Sequence, residues 1–165
     1  MKNYQWGNDR ELINLAGMNP LPKSALDIDR WYETVHTSQD VQVYAIKTPD
    51  GDYLGNIELR DIDPRCGRAE VGIIIGDRQS WTQGYGADAL SALCRFAFRE
   101  LRFHRLYARV LENNPRAQGL FRKCGFKQEG LARESHFSAG RHWDVILFGL
   151  LSDELPEDPE MEASP

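Results

Sequence analysis

The chain is short of cysteine, of long apolar runs and of concentrated basic charge, and each shortage removes a class of function. Its three cysteines, Cys66, Cys94 and Cys124, are odd in number and show no C-x-x-C spacing, which argues against a disulfide framework and against a zinc site. No metal centre is expected. Cys94 shares one helix face with Leu90, Leu93, Ala97 and Phe98, the place of a small buried hydrophobe rather than a nucleophile. No apolar stretch approaches the roughly 20 residues that span a bilayer. The opening MKNYQWGNDR also lacks the apolar core of about 7 to 15 residues that a secretory signal needs. The reading is a cytoplasmic protein with reduced thiols and no membrane partner. Without a concentrated basic stripe, nucleic acid is not an expected partner either.

What is there fits one soluble globular domain: 165 residues, 41% hydrophobic and 27% charged. The formal charge of -5 is unevenly spread. The ending SDELPEDPEMEASP, residues 152–165, carries six acids and no base; setting them aside leaves 19 of the 25 acidic residues against 20 basic ones. The chain therefore reads as a domain over 1–151 followed by an acidic tail too polar to order itself.

Helix signals come first. Asn8 or Asp9 can cap a helix over NDRELINL, and Ser24 with Asp27 three residues later resembles a capping box ahead of SALDIDRWYETV. The period then changes to that of strands. VQVYAIK (41–47) and YLGNIELR (53–60) flank the turn TPDGD as a hairpin, and AEVGIII (69–75) reads as a central strand covered on both faces. Leu90, Leu93, Cys94, Ala97, Phe98 and Leu101 recur at helical spacing. RLYARVL (105–111) is a strand, and NNPRAQGLFRKCGF a helix stopped by Gly125. FKQEG, ARESHF and HWDVILFGLL supply further strands, the last two joined by SAGR. The order is that of a mixed α/β fold.

Between the central strand and the long helix lies QGYGAD, residues 83–88. A dinucleotide fingerprint fails because the third glycine position is Ala89, and no Gly-Lys-Ser/Thr makes it a P-loop. Successive amides at a helix start can instead converge on an oxyanion, with glycines letting a phosphate approach the backbone. On these residues alone that reading stands level with a Gly84 that merely ends a loop.

Trp81-Thr-Gln-Gly84-Tyr-Gly86 resembles the acyl-CoA-binding motif of the GNAT superfamily of N-acetyltransferases, in the Trp-x-x-Gly-Tyr form of the branch of ribosomal-protein alanine N-acetyltransferases and their relatives that acetylate spermidine and other small amines. Asn114-Pro-Arg-Ala117-Gln-Gly-Leu120-Phe121-Arg-Lys123-Cys-Gly125-Phe126 is similar to that branch's second block. Glu129-Gly130-x-x-Arg133-Glu134 and Gly140-x-x-x-Asp144 are similar to its ending. The resemblance covers residues 6–151. It implies a mostly antiparallel mixed sheet splayed around an acyl-CoA groove, with helices on both faces. It implies transfer of an acetyl group from acetyl-CoA to a primary amine, a protein N-terminus, a polyamine or another small amine, by direct attack in a ternary complex. The amides of Gln83, Gly84, Tyr85, Gly86, Ala87 and Asp88 would cradle the pyrophosphate, and the pantetheine arm would pair near Ile73 and Ile75. Asn114 would hydrogen-bond that arm, Ala117 and Phe121 would flank the thioester, and Lys123 would complete the groove.

The chemistry needs a base for the ammonium and a donor to polarise the thioester carbonyl, a strand amide near Ile73. His136 is the first candidate for the base, lying where some relatives place a carboxylate; Glu70 and Glu58 are the others, and Asn114 is the further residue assigned to the catalytic set. Two hydroxyls that could protonate the leaving thiolate are missing, since Phe121 stands where many relatives have tyrosine and Ala117 where some have serine. That absence keeps a second reading open, a catalytically silent acyl-CoA-binding or regulatory domain. Trp6-Gly-Asn8-Asp9 follows the start so closely that the sheet is expected to lack a first strand and expose an edge, through a shortened start or for a partner to cover. Association of two copies is left open.

Overall fold

The computed structural model describes residues 2–156. Local caps organise its first third. Helix α1 (Lys2–Gly7) carries no capping signal in the sequence; it is fixed by what it touches. Asn3 Oδ1 accepts from the Tyr53 hydroxyl at 2.7 Å and from Asn56 Nδ2 at 3.2 Å. Trp6 lies so close over Gly76 that a Cβ there would sit 2.0 Å from its ring. Asp9 then accepts from the amides of Glu11 and Leu12, starting helix α2 (Arg10–Ala16), which stops at Gly17 in the left-handed region, φ 63°. Ser24 and Asp27 form the full capping box of helix α3 (Ala25–Thr37).

The β-branched runs form strands β1 (Gln42–Lys47), β2 (Tyr53–Asp63) and β3 (Arg68–Ile75), an antiparallel meander. Helix α4 (Tyr85–Arg99) crosses to strand β4 (Arg105–Leu111), and helix α5 (Pro115–Lys123) leads to the hairpin of β5 (Lys127–Ser138) and β6 (Arg141–Leu151). The six strands run in the order β1-β2-β3-β4-β6-β5, so β1 and β5 are the outer strands. Within the described residues the first strand is β1. Leu90, Leu93, Cys94, Ala97 and Phe98 of α4 are buried against Leu59, Ala69, Val71, Leu106 and Phe148. Each large side chain so buried contributes about 1.5–3 kcal/mol. Burial pushes the Cys94 thiol up to about 12, so it behaves as a hydrophobe.

Two segments differ from the sequence expectation. FKQEG and ARESHF belong to one strand, β5, whose pairing with β6 slips between Gln128 and Gly130 and again between Ala132 and His136. At the second slip Glu134 takes φ 49° and its amide donates to Asp144 Oδ1 at 2.8 Å, so a side chain of β6 replaces the lost ladder bond. The other concerns residues 152–156, placed with the tail by composition. Ser152–Glu154 is a 3₁₀ turn, Leu155 packs on the core, and Pro156 lies against Gly125. The rest of the acidic segment, 157–165, lies outside the described residues.

Candidate active site

The site begins where the sheet stops being a sheet. β3 and β4 pair in parallel through only three positions, Arg68 with Arg105, Ala69 with Leu106 and Glu70 with Tyr107. Beyond Glu70 they part. β3 continues to Ile75 paired with β2 on one side only, and its other edge faces the gap. The β3–α4 loop closes one end of that gap. Trp81 donates its indole N–H to the Ile75 carbonyl at 2.7 Å, and Arg116 of α5 stacks on the indole at 3.6 Å. Thr82 is held at φ 66°, a costly conformation for a β-branched residue.

The helix start is shaped as an anion site. Gly84 caps α4 at φ 95°, and its carbonyl accepts from the amides of Ala87 and Asp88 at 2.9 and 3.0 Å. Those two amides are engaged inside the first turn. Among the described residues, the amides of Gly84, Tyr85 and Gly86 have no backbone acceptor. Gly84 is required by its φ, but nothing in the fold requires Gly86. A Cβ on Gly86 would meet only Leu120 and Ile73 at 3.5 Å or more, so its absence leaves room for something outside the protein. A cavity of about 280 Å³ opens here, lined by Ile73, Ile75, Gly84, Gly86, Ala87, Asn114, Ala117 and Lys123 among the expected residues. Gln83, Tyr85 and Asp88 do not line it; the Gln83 side chain turns back to the Gln79 carbonyl at 2.6 Å. Asn114 is held within the protein, donating to the Leu15 carbonyl at 2.9 Å and accepting from the Ala117 amide at 3.1 Å. These features fit an acyl-CoA: bare amides at a helix N-terminus for the pyrophosphate, and an open strand edge for the amide-bearing arm.

A second cavity, about 370 Å³, lies under α1, α2 and α3 and meets the first at Leu15, Ala16, Ile73, Ile74, Asn114 and Ala117. Phe121 reaches this one, stacked on Phe148 and edge-on to Phe126. Glu58 lines it, with its carboxylate lying across β3: a Cβ on the facing Gly72 would fall 2.6 Å from Glu58 Oε1. Arg60 Nη1 holds the carboxylate at 3.1 Å. Glu70 is different. It is fully buried between Arg60 at 2.8 Å and Arg109 at 3.1 Å, a paired ion in the wall rather than a group facing the cavity. His136 lies outside both cavities, beneath the end of α2, where a Cβ on Gly17 would be 3.4 Å from its Cε1. The structure thus brings Glu58 to the gap and leaves His136 and Glu70 away from it.

Sequence reasoning missed Trp6, Trp31, Arg60 and Arg109 on the second cavity and Arg116 on the first. The alternation of β2 and β4 signalled that Glu58, Arg60 and Arg109 share a sheet face, but not which helices cover it.

A split sheet, with bare amides at the helix start closing one end of the gap and a second cavity meeting the first, is the arrangement expected of an acyltransferase. The family model described as Acetyltransferase (GNAT) domain matches residues 2–127, and the chain belongs to that family of acetyltransferases, with acetyl-CoA as its donor. The chain is 28% identical over 153 residues to the uncharacterized N-acetyltransferase p20 of Bacillus licheniformis, covering 91% of this chain and 85% of that protein. It is 29% identical over 111 residues to a spermidine N(1)-acetyltransferase of Vibrio cholerae, covering 67% and 64% of the two. The crystal structure of spermidine N-acetyltransferase from Vibrio cholerae in complex with CoA and spermine superposes with a TM-score of 0.85, at 24% identity, over 92% of this chain and 88% of the other. At that identity the likeness establishes the fold. Among the described residues no helix is long and apolar enough to cross a membrane.

Proposed function

We propose that this acetyltransferase acetylates a primary amine by direct attack in a ternary complex, with Glu58 as the general base. The carrying observation is that the two cavities share Ile73, Asn114 and Ala117, so a donor in one and an acceptor in the other meet at one point. When bound, acetyl-CoA supplies an acyl carbon activated by its thioester. The amines of the acceptor enter beside Glu58, whose carboxylate takes the ammonium proton directly or through water. The amide of Ile73 on the open edge of β3 donates to the carbonyl oxygen. Asn114 holds the start of α5 against α2 and so keeps Ala117 at the meeting point and Phe121 on the wall of the second cavity. With no hydroxyl on either, solvent water returns a proton to the leaving thiolate, a tolerable loss because thiolate is a good leaving group.

Kinship with spermidine N(1)-acetyltransferases supports testing polyamines as acceptors, beside protein N-termini and small amines. Cytoplasmic residence belongs to the same reading, supported by three free cysteines. So does a homodimer, for which the outer strands β1 and β5 offer edges. The test is release of coenzyme A from acetyl-CoA over a panel of amines and alcohols. Release is expected with amines and not with alcohols; a rate no higher than that of buffer with every amine would overturn the proposal.

A further inference from the structure

The second cavity carries charge of both signs, in a fixed arrangement. Its lining includes three cationic side chains, Lys23, Arg60 and Arg109, against two carboxylates, Asp27 and Glu58. Lys23 and Asp27 are already occupied: the first reaches the Gly7 carbonyl at 3.2 Å, and the second closes the capping box of α3. The remaining groups form a row. Arg60 donates to Glu58 and to the buried Glu70, and Arg109 donates from Nε to Glu70 while its Nη2 forms an ion pair with the same carboxylate at 3.1 Å. Arg60 uses both terminal nitrogens in that row. Arg109 does not. Its side chain is 57% exposed, and among the described residues Nη1 has no partner. The row therefore ends in a carboxylate able to take a proton at one end and a guanidinium face free to hold an anion at the other. They stand one guanidinium and one carboxylate apart. Above them, the half-buried rings of Trp6 and Trp31 supply apolar wall.

We infer that the acceptor is a short zwitterion, an α-amino acid or close analogue with an apolar side chain, whose amine faces Glu58 and whose carboxylate is forked by Arg109. The inference rests on reading this cavity as the acceptor site. A polyamine fits poorly: its several positive charges would enter a cavity whose lining cations already outnumber its carboxylates, and buried Glu70 only balances the excess. A zwitterion adds no net charge and satisfies both ends of the row.

The experiment compares L-methionine and L-phenylalanine with their carboxamides and with spermidine, following coenzyme A release by the full chain at pH 7.5. The carboxamides have the advantage in chemistry, since their amines titrate near the peptide α-amino value of about 7.7–8.0 and more of each is neutral. A preference for the free acid therefore reports carboxylate binding. The expected result is a kcat/KM for the acids about tenfold or more above the carboxamides, with spermidine lower still, as for loss of one charge-assisted contact. In Arg109→Gln the KM for the acids should rise and the acid-to-amide preference fall toward one. Carboxamides turned over as well as the acids, or spermidine preferred to both, would overturn the inference in the unaltered protein, whatever the variant's stability. If no amine of any kind is acetylated while acetyl-CoA still binds, the acetyltransfer proposal fails and this inference with it.

Discussion

At Gly72 the sheet leaves out a side chain where a carboxylate occupies the space. The facing Glu58 lies across β3 because no Cβ opposes it, next to Ile73 and the open edge. The same device recurs farther across the same face of the sheet, where Glu129 of β5 lies over Gly149 of β6 and reaches Arg105 on β4. Two expectations follow at this scale. Glu58→Gln should lower turnover by about 10²- to 10⁴-fold with little change in acetyl-CoA affinity, whereas His136→Gln should leave turnover within a few-fold. Steady-state kinetics with the best amine decides it; equal losses in both variants would move the base elsewhere. Gly72→Ala leaves every titratable group in place but puts a methyl 2.6 Å from the Glu58 carboxylate. Its turnover should fall in the same direction as that of Glu58→Gln, and a rate equal to wild type would show that the carboxylate's position does not matter. Sequence alone names Glu58, Glu70 and His136 as candidate bases and puts His136 first, on the family resemblance rather than on any contact. Their ranking depends on two arginines from different strands and on where the end of α2 comes down, which are long-range facts.

Helices, strands and loops were legible to the extent that their signals are local. The caps of α2 and α3, the β1–β2 hairpin, the stripe of α4 and the Gly84 loop can all be read from a few neighbouring residues. α1 could not be, because contacts with Tyr53, Asn56 and Gly76 hold it, nor could the union of two short strands into bulged β5, which depends on Asp144 from the partner strand. The gap itself was expected only through the family resemblance, since no periodicity marks where β3 and β4 part. The α4 loop yields a paired prediction. Gly84→Val forces a β-branched residue to φ 95° and should cost about 1–3 kcal/mol of strain, lowering stability and acetyl-CoA affinity together. Gly86→Val tests the ligand instead, because a Cβ there meets nothing closer than 3.5 Å and valine's helix propensity is no worse than glycine's. Calorimetry should show its affinity for acetyl-CoA falling about tenfold or more while the thermal midpoint shifts far less than in Gly84→Val. Unchanged affinity would remove the amides of this turn from the cofactor site.

Across the whole molecule, ion pairs join segments distant in sequence, and that sets the response to acid. Burial raises the Asp9 carboxyl, but hydrogen bonds from Arg78 and from the amides of Leu12 and Glu11 outweigh it and hold the group below 3.8. Arg105 forks onto Glu129 and holds it below 4.5, despite some burial. A carboxylate lowered on folding stabilises above its unfolded value, and the contribution is lost as pH falls through the lower folded value. Thermal midpoints should therefore hold from neutral pH to about 5 and drop below about 4. Arg105→Gln should make that drop shallower; a midpoint unchanged down to pH 3 would show these pairs to be inconsequential. Charge was legible at this scale as near balance in the body, but not which acids are paired, since Asp9 and Arg78 are separated by most of the N-terminal half of the chain.

Helix α2 is fastened at both ends to the cofactor half of the protein. Arg78 bonds Asp9 and Glu11 at its start, and Asn114 takes the Leu15 carbonyl near its end. Leu15 and Ala16 face both cavities. A wall shared in this way makes the two ligands speak to each other: whatever factor acetyl-CoA applies to the affinity of the amine, the amine must apply to acetyl-CoA, because the free energy around the binding cycle sums to zero. Loosening the wall at Arg78, a residue that faces neither cavity, should bring that common factor closer to one while leaving each ligand able to bind alone.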